Sequence, residues 1–266
     1  MISFTRALKS ELLKLKTARA NVVIVLVAAG LAAFAAAVFV IRAAHPGQFA
    51  PRGVDLLPAP GSKDWASLLL SLGGSGEDFA LVVGILLVTA EYRHGTITST
   101  LMTQPRRRIV AAAKLTSGLI AGAVVAAGAI VAVMVVGGIA AANAGSVSIF
   151  AGQAPHVLPG VFEATALYGI YGVGVGSLLR NQIAALVGSL AFVAIGESIL
   201  DALYPSVGRW LPAGAASSVD HSGKILNGSS LSLHLLPRWE GALVLVGYGV
   251  ALAIAGVVVS HRADVT

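Results

Sequence analysis

The sequence predicts an all-α membrane protein with six transmembrane helices, and three observations predict it. Of 266 residues, 56% are hydrophobic and only 11% are charged, against about 25% charged in soluble domains. Several apolar runs reach the roughly 18 residues that cross about 30 Å of hydrocarbon at about 1.5 Å per residue. The basic residues sit beside those runs rather than in one patch among aromatics. A pI of 9.9 therefore reflects membrane topology and not nucleic-acid binding. The absence of cysteine excludes disulfides, thiolate catalysis and cysteine-bound metals.

The first twenty residues form the first element. Phe4, Leu8, Leu12 and Leu15 recur at helical spacing, while Arg6, Lys9, Lys14 and Lys16 hold most of the remaining surface. This is an amphipathic helix at the interface, serving either as a topology-setting basic flank or as a surface that touches a partner. The run at 22–41 is longer than the roughly 7 to 15 residues of a cleavable signal core, so it is expected to stay as the first span. Four prolines between Ala43 and Lys63 predict an extended loop.

The other spans are expected at 66–90, 110–141, 162–179, 183–203 and 241–260, all within one transmembrane domain. The third is longer than a crossing needs, so one end projects or it bends at Gly137-Gly138. Arg180-Asn181-Gln182 is a tight polar turn joining the antiparallel fourth and fifth spans. The segment from Tyr204 to Arg238 contains an apolar stretch and could enter the membrane only where protein covers its free backbone groups.

Six crossings put both termini on one side, with 12 of the 18 Lys and Arg residues there and 6 on the other. The positive-inside rule makes the richer side cytoplasmic. In that orientation both termini and the segment 91–109 lie on the cytoplasmic side of a cell membrane.

Motifs for chemistry are missing. There is no Walker loop, and Gly223-Lys224 is followed by Ile225. The run Ser71 to Glu77 has a nucleotide-signature look but lies in or beside a span. The six histidines are scattered without metal-ligand spacing, and no nucleophile elbow occurs. No catalytic residue, metal site or bound cofactor is expected, and the chain does not read as an enzyme.

Acids inside spans are the next feature. If Glu77 and Asp78 lay outside, Phe79 to Ala90 would cover only about 18 Å, too little to cross. Either both sit within the second span or the helix breaks near Gly73, Gly74 and Gly76. Glu197 and Asp201 stand four apart near the outer end of the fifth span. All four acids are candidates for a substrate pathway or gate, with structural roles as the alternative. Gly118-x-x-x-Gly122 and Gly172-x-x-x-Gly176 are small-residue faces suited to close helix packing in lipid.

Between the second and third spans, Glu91, Tyr92 and Arg93 end one helix and Gly95 can terminate it. Thr96 can cap a new helix over 97–104, which Pro105 stops. Ile97 and Leu101 share a face with Met102 adjacent, and Arg106, Arg107 and Arg108 follow. A plain basic loop would need only the arginines.

"EYRHGTITSTLMTQPRRRIVAAAKL" resembles the segment after the second span in permease subunits of type-2 ABC exporters, and "SELLKLKTARAN" is similar to the start of the same family. The resemblance implies a permease that pairs with a second copy or a similar permease, and that binds cytoplasmic ABC ATPase subunits carrying the ATP and Mg. It makes 97–104 a coupling helix seated on the ATPase. The Glu77-Asp78 pair departs from the family pattern. A self-contained ion-coupled transporter or channel is the alternative class. Substrate identity is not written in the sequence, although apolar spans suit an amphiphile.

Overall fold

A computed structural model describes residues 4–45, 57–58, 60, 62–103, 106–143, 148–220 and 235–263. The predicted Ala43–Lys63 loop, the Pro105 stop and the apolar stretch after residue 230 fall largely outside these residues.

Among the described residues every regular element is helical. Six helices are long and apolar enough to cross a membrane, the architecture of a multi-pass membrane protein. Helix α1 is Phe4–Thr17 and α2 is Arg19–Ala44. Helix α3, Lys63–Ser71, runs through a 3₁₀ turn, Leu72–Gly76, into α4, Glu77–Arg93. The short α5 is Ile97–Thr103, followed by α6, Arg107–Asn143, and α7, Ala154–Leu178. The fifth span is α8, Gln182–Ala191, then a π turn, Phe192–Gly196, then α9, Glu197–Leu203. Beyond it come α10, Pro205–Gly208, α11, Pro212–Asp220, and the last span α12, Arg238–Ala263.

The second span satisfies both halves of the expected alternative: it breaks at the glycines, and it carries Glu77 and Asp78 within its length. The third span runs without interruption through Gly137 and Gly138. At 37 residues it reaches about 55 Å and projects beyond the hydrocarbon. The fourth begins eight residues before the predicted boundary, since Pro155 sits in the first turn and Pro159 removes a single backbone bond close to the helix start. Glu163, which lies within the predicted span, is held at its Oε2 by Arg238 of α12 at 2.6 Å.

Helix α7 is the axis of the bundle. Its span is 78% buried, against 22% for α2 and 17% for the fifth span, and it packs on α4, α6, α11 and α12. Small residues make this possible. A Cβ on Gly118 of α6 would come 2.7 Å from the Gly169 carbonyl, and one on Gly122 would come 2.7 Å from that of Ala166. On α7, Gly172 lies against Leu81 and Gly84 of α4, and Gly176 against Ile85. Backbones therefore touch backbones, the closeness that small residues permit where no hydrophobic force drives helices together in lipid.

A second cluster around Trp65, Phe39, Val133 and Val157 ties α2 and α3 to α6 and α7. Helix α11 folds back onto α12 and α7, burying Pro212, Ala215, Ala216 and Val219. Its backbone is thus helical and covered by protein.

Candidate functional site

The end of the bundle that carries α1 and α5 is termed the proximal face here, and the opposite end the distal face. The proximal joint is built by the C-terminus of α4. Gly95 takes φ +68°, the Thr96 amide donates to the Glu91 carbonyl at 2.9 Å, and the Gly95 amide donates to that of Tyr92 at 3.3 Å. These two bonds are a Schellman cap. They reverse the chain so that α5 starts after only His94, Gly95 and Thr96. A Cβ on Gly95 would meet nothing within 4 Å, so Gly95→Ala is expected to cost about 1 kcal/mol through conformation alone. A lowered thermal midpoint of the purified protein measures it.

A buried ion network lies beneath this joint. Lys114 of α6 reaches Glu91 Oε1 at 2.8 Å and Glu11 Oε2 at 3.1 Å, and donates to the Leu87 carbonyl at 3.1 Å. Lys14 of α1 holds Glu11 Oε1 and Glu91 Oε1, both at 2.6 Å. Two acids and two lysines balance, and only Lys14 is substantially exposed, at 41% of its side chain. Burial lowers the Lys14 pKa, but its bonds to Glu11 and Glu91 outweigh this and hold it above the usual value of 10.5. Its contribution to stability is complete below that value and is lost as pH rises through the raised one.

The network binds α1 to the ends of α4 and α6, so α1 does more than lie on a membrane surface. Leu8, Leu12 and Leu15 are half-buried beside Glu11, while Phe4 stays exposed. Sequence reasoning gave no role to Glu11. The only signal was an acid three residues before Lys14 in an otherwise basic helix.

The other proximal candidates divide between anchors and exposed groups. Arg180, in the turn between α7 and α8, stands 5.7 Å from the Tyr92 ring centre, and Arg93 donates to Gln182 at 3.3 Å. Asn181 caps α8 by accepting from the amides of Ile183 and Ala184. Ile97 is half-buried and lines a small groove of about 60 Å³ with Tyr92, Arg107, Val110, Lys114 and Gly256. Met102 is 80% exposed, and Arg106 and Arg108 are exposed as well. Helix α5 contains Leu101, whose side chain lies outside the described residues, as do Gln104 and Pro105.

On the distal side the structure separates the four acids. The π turn brings Glu197 inward to 3% exposure, where its Oε2 accepts from the Ala213 amide at the start of α11 at 2.7 Å. Asp201 instead lies directly against Gly208. Glu77 points towards Gly74, while Asp78 is exposed on the surface of the bundle. The sequence reading missed Asp220, which ends α11 and faces the same glycine. Only the fold-back of α11 brings it there. Among the described residues no group of three or more His, Cys, Asp or Glu is placed to hold a metal ion.

No protein-family model matches the chain, and no curated protein matches it.

Proposed function

We propose that this chain is the transmembrane permease subunit of an ATP-binding cassette exporter, moving an amphiphilic substrate across the cell membrane with ATP hydrolysed on a separate subunit. The observation that carries the reading is α5: a short helix between two spans, with Met102 exposed and arginines beside it. It is joined to α4 by a two-bond cap and underlain by ion pairs to α1 and α6. A merely topological loop needs arginines but no braced helix. A surface that receives force does need one, because motion at α5 then passes to α4 and α6 instead of dissipating in a loop.

In this reading the proximal face is cytoplasmic, in line with the positive-inside rule, and both termini lie there. ATP and Mg belong to the partner ATPase. The exposed apolar faces of α2 (Val23, Val27, Phe34) and of the fifth span (Ile183, Val187, Ile195) meet lipid or a second permease. Met102→Asp together with Arg108→Glu is expected to abolish co-purification with a co-expressed ABC ATPase subunit, with the fold retained. Undiminished co-purification would remove α5 from the docking surface.

One observation favours the second class, an ion-coupled transporter or channel: carboxylates lie within the spans. Transport driven by an ion gradient in the purified chain alone, lost in Glu77→Gln, is what that class requires.

A further inference from the structure

The distal half of α2 carries a feature that the proximal machinery does not use. Phe34, Val38 and Arg42 follow one another at intervals of four along its outward side, and all three are exposed. Ala35 and Phe39 stand one position further round the helix, and Leu57 approaches from the chain beyond α2. Together these six residues line a groove of about 320 Å³.

The base of the groove belongs to the folded core. Phe39 is buried, and its ring centre lies 6.3 Å from that of Trp65. Trp65 is itself enclosed in the cluster that ties α2 and α3 to α6 and α7, and Leu57 packs against the same cluster. The depression is therefore held by packing behind it, while Phe34 and Val38 face outward along its side.

Depth and charge define what would fit. Helix α2 has 26 residues and is about 39 Å long, against about 30 Å of hydrocarbon and about 40–45 Å with the headgroup regions included. Arg42 in the last turn thus stands at headgroup depth, and Phe34, eight residues earlier, lies about 12 Å deeper among acyl chains. Arg42 is the one charged residue lining the groove, and no acid among the described residues forms an ion pair with it. A guanidinium offers paired N–H donors that match the oxygens of a phosphate. The other five lining residues are apolar. A free anion would leave that wall uncovered, and a plain hydrocarbon would leave Arg42 without a counter-charge. A second copy of the chain fits less well. Helix α2 contains no acid, and a two-fold contact of α2 on itself presents the same patch from both sides, bringing the two Arg42 side chains together at one depth.

We propose that this groove binds one anionic phospholipid of the distal leaflet, with its phosphate on Arg42 and one acyl chain laid along Val38 and Phe34. The inference needs only the multi-pass membrane architecture and is independent of the transport reading.

The full chain, purified in detergent, is titrated with phosphatidylglycerol and with phosphatidylcholine of the same acyl chains, and bound lipid is counted by native mass spectrometry. One lipid is expected to bind saturably and more tightly than any others, with phosphatidylglycerol preferred. Arg42→Gln is expected to weaken that lipid about fivefold and to remove the preference, whereas Arg42→Lys keeps the charge and retains it. Val38→Trp leaves every charge in place but fills the groove, so it is expected to weaken both lipids. Glycerophosphoglycerol, the headgroup without its chains, is expected not to displace the lipid at equal concentration. The proposal is overturned by absent saturable binding, by unchanged phosphatidylglycerol affinity in Arg42→Gln, or by equal displacement by the chain-free headgroup. Loss of a dimer in Val38→Trp with lipid binding unchanged would also overturn it, by assigning the groove to a second copy.

Discussion

Lys114→Met is expected to destabilise the protein by about 3–5 kcal/mol, the cost of removing one member of a buried ion pair. Lys114 touches Glu11, Glu91 and the Leu87 carbonyl at once. Without it, two carboxylates whose side chains are 4% and 7% exposed face each other with only the half-exposed Lys14 between them. Glu91 Oε2 already has no partner, so the site has no spare donor to absorb the loss. Replacing all three buried members, as Glu11→Leu, Glu91→Leu and Lys114→Met together, is expected to cost less than the single change, because no buried charge is then left uncompensated. Thermal unfolding of the purified variants, with trypsin cleavage within α1 as the local readout, measures both effects. A single variant as stable as the parent would show that the network does not hold α1 in place.

Gly169→Leu is expected to be at least as damaging, at about 3 kcal/mol or more, the upper end for overpacking. A Cβ there would strike the Gly118 carbonyl directly and lie 2.9 Å from its carbon and 3.2 Å from the Gly122 amide. All of these are backbone atoms of a 37-residue helix, so no side chain can rotate away. Gly138→Ala is the internal control, since a Cβ there meets nothing within 4 Å. It is expected to be neutral or to stabilise by about 0.5–1 kcal/mol, because alanine loses less freedom than glycine in a helix. The ratio of folded to aggregated protein on size exclusion, followed by thermal midpoints, separates the two glycines. Equal behaviour would contradict the backbone contact between α6 and α7.

The six spans were legible because hydropathy reports what a bilayer demands of a surface. Hydropathy did not reveal which span lies at the centre. Helix α7 has the lowest mean hydropathy of the six, 1.2, yet it is the most buried. A lipid-facing helix must be apolar all round, whereas a helix enclosed by others needs small residues and can carry Thr165 and two tyrosine contacts. The glycine spacing on α6 and α7 was the one sequence feature that pointed to this core.

At the joint, Gly95 and the start of α5 followed from local turn chemistry, which sequence displays directly. Pairing of Glu11 with Lys114 depends on how α1 docks, and the inward turn of Glu197 depends on a π segment with no Pro or charge to mark it. Asp220 reached Gly74 only through the return of α11. Long-range placement of this kind is set by packing and not by any local run of residues.

The central claim is that energy enters this protein from an ATPase seated on α5. The most direct measurement reconstitutes the chain with a co-expressed ABC ATPase subunit in proteoliposomes, and follows uptake of a fluorescent amphiphile with ATP supplied on the α5 side. The account predicts ATP-dependent transport that Met102→Asp with Arg108→Glu abolishes while leaving both subunits folded. Transport by the permease alone, driven by an ion gradient and indifferent to those substitutions, would contradict it.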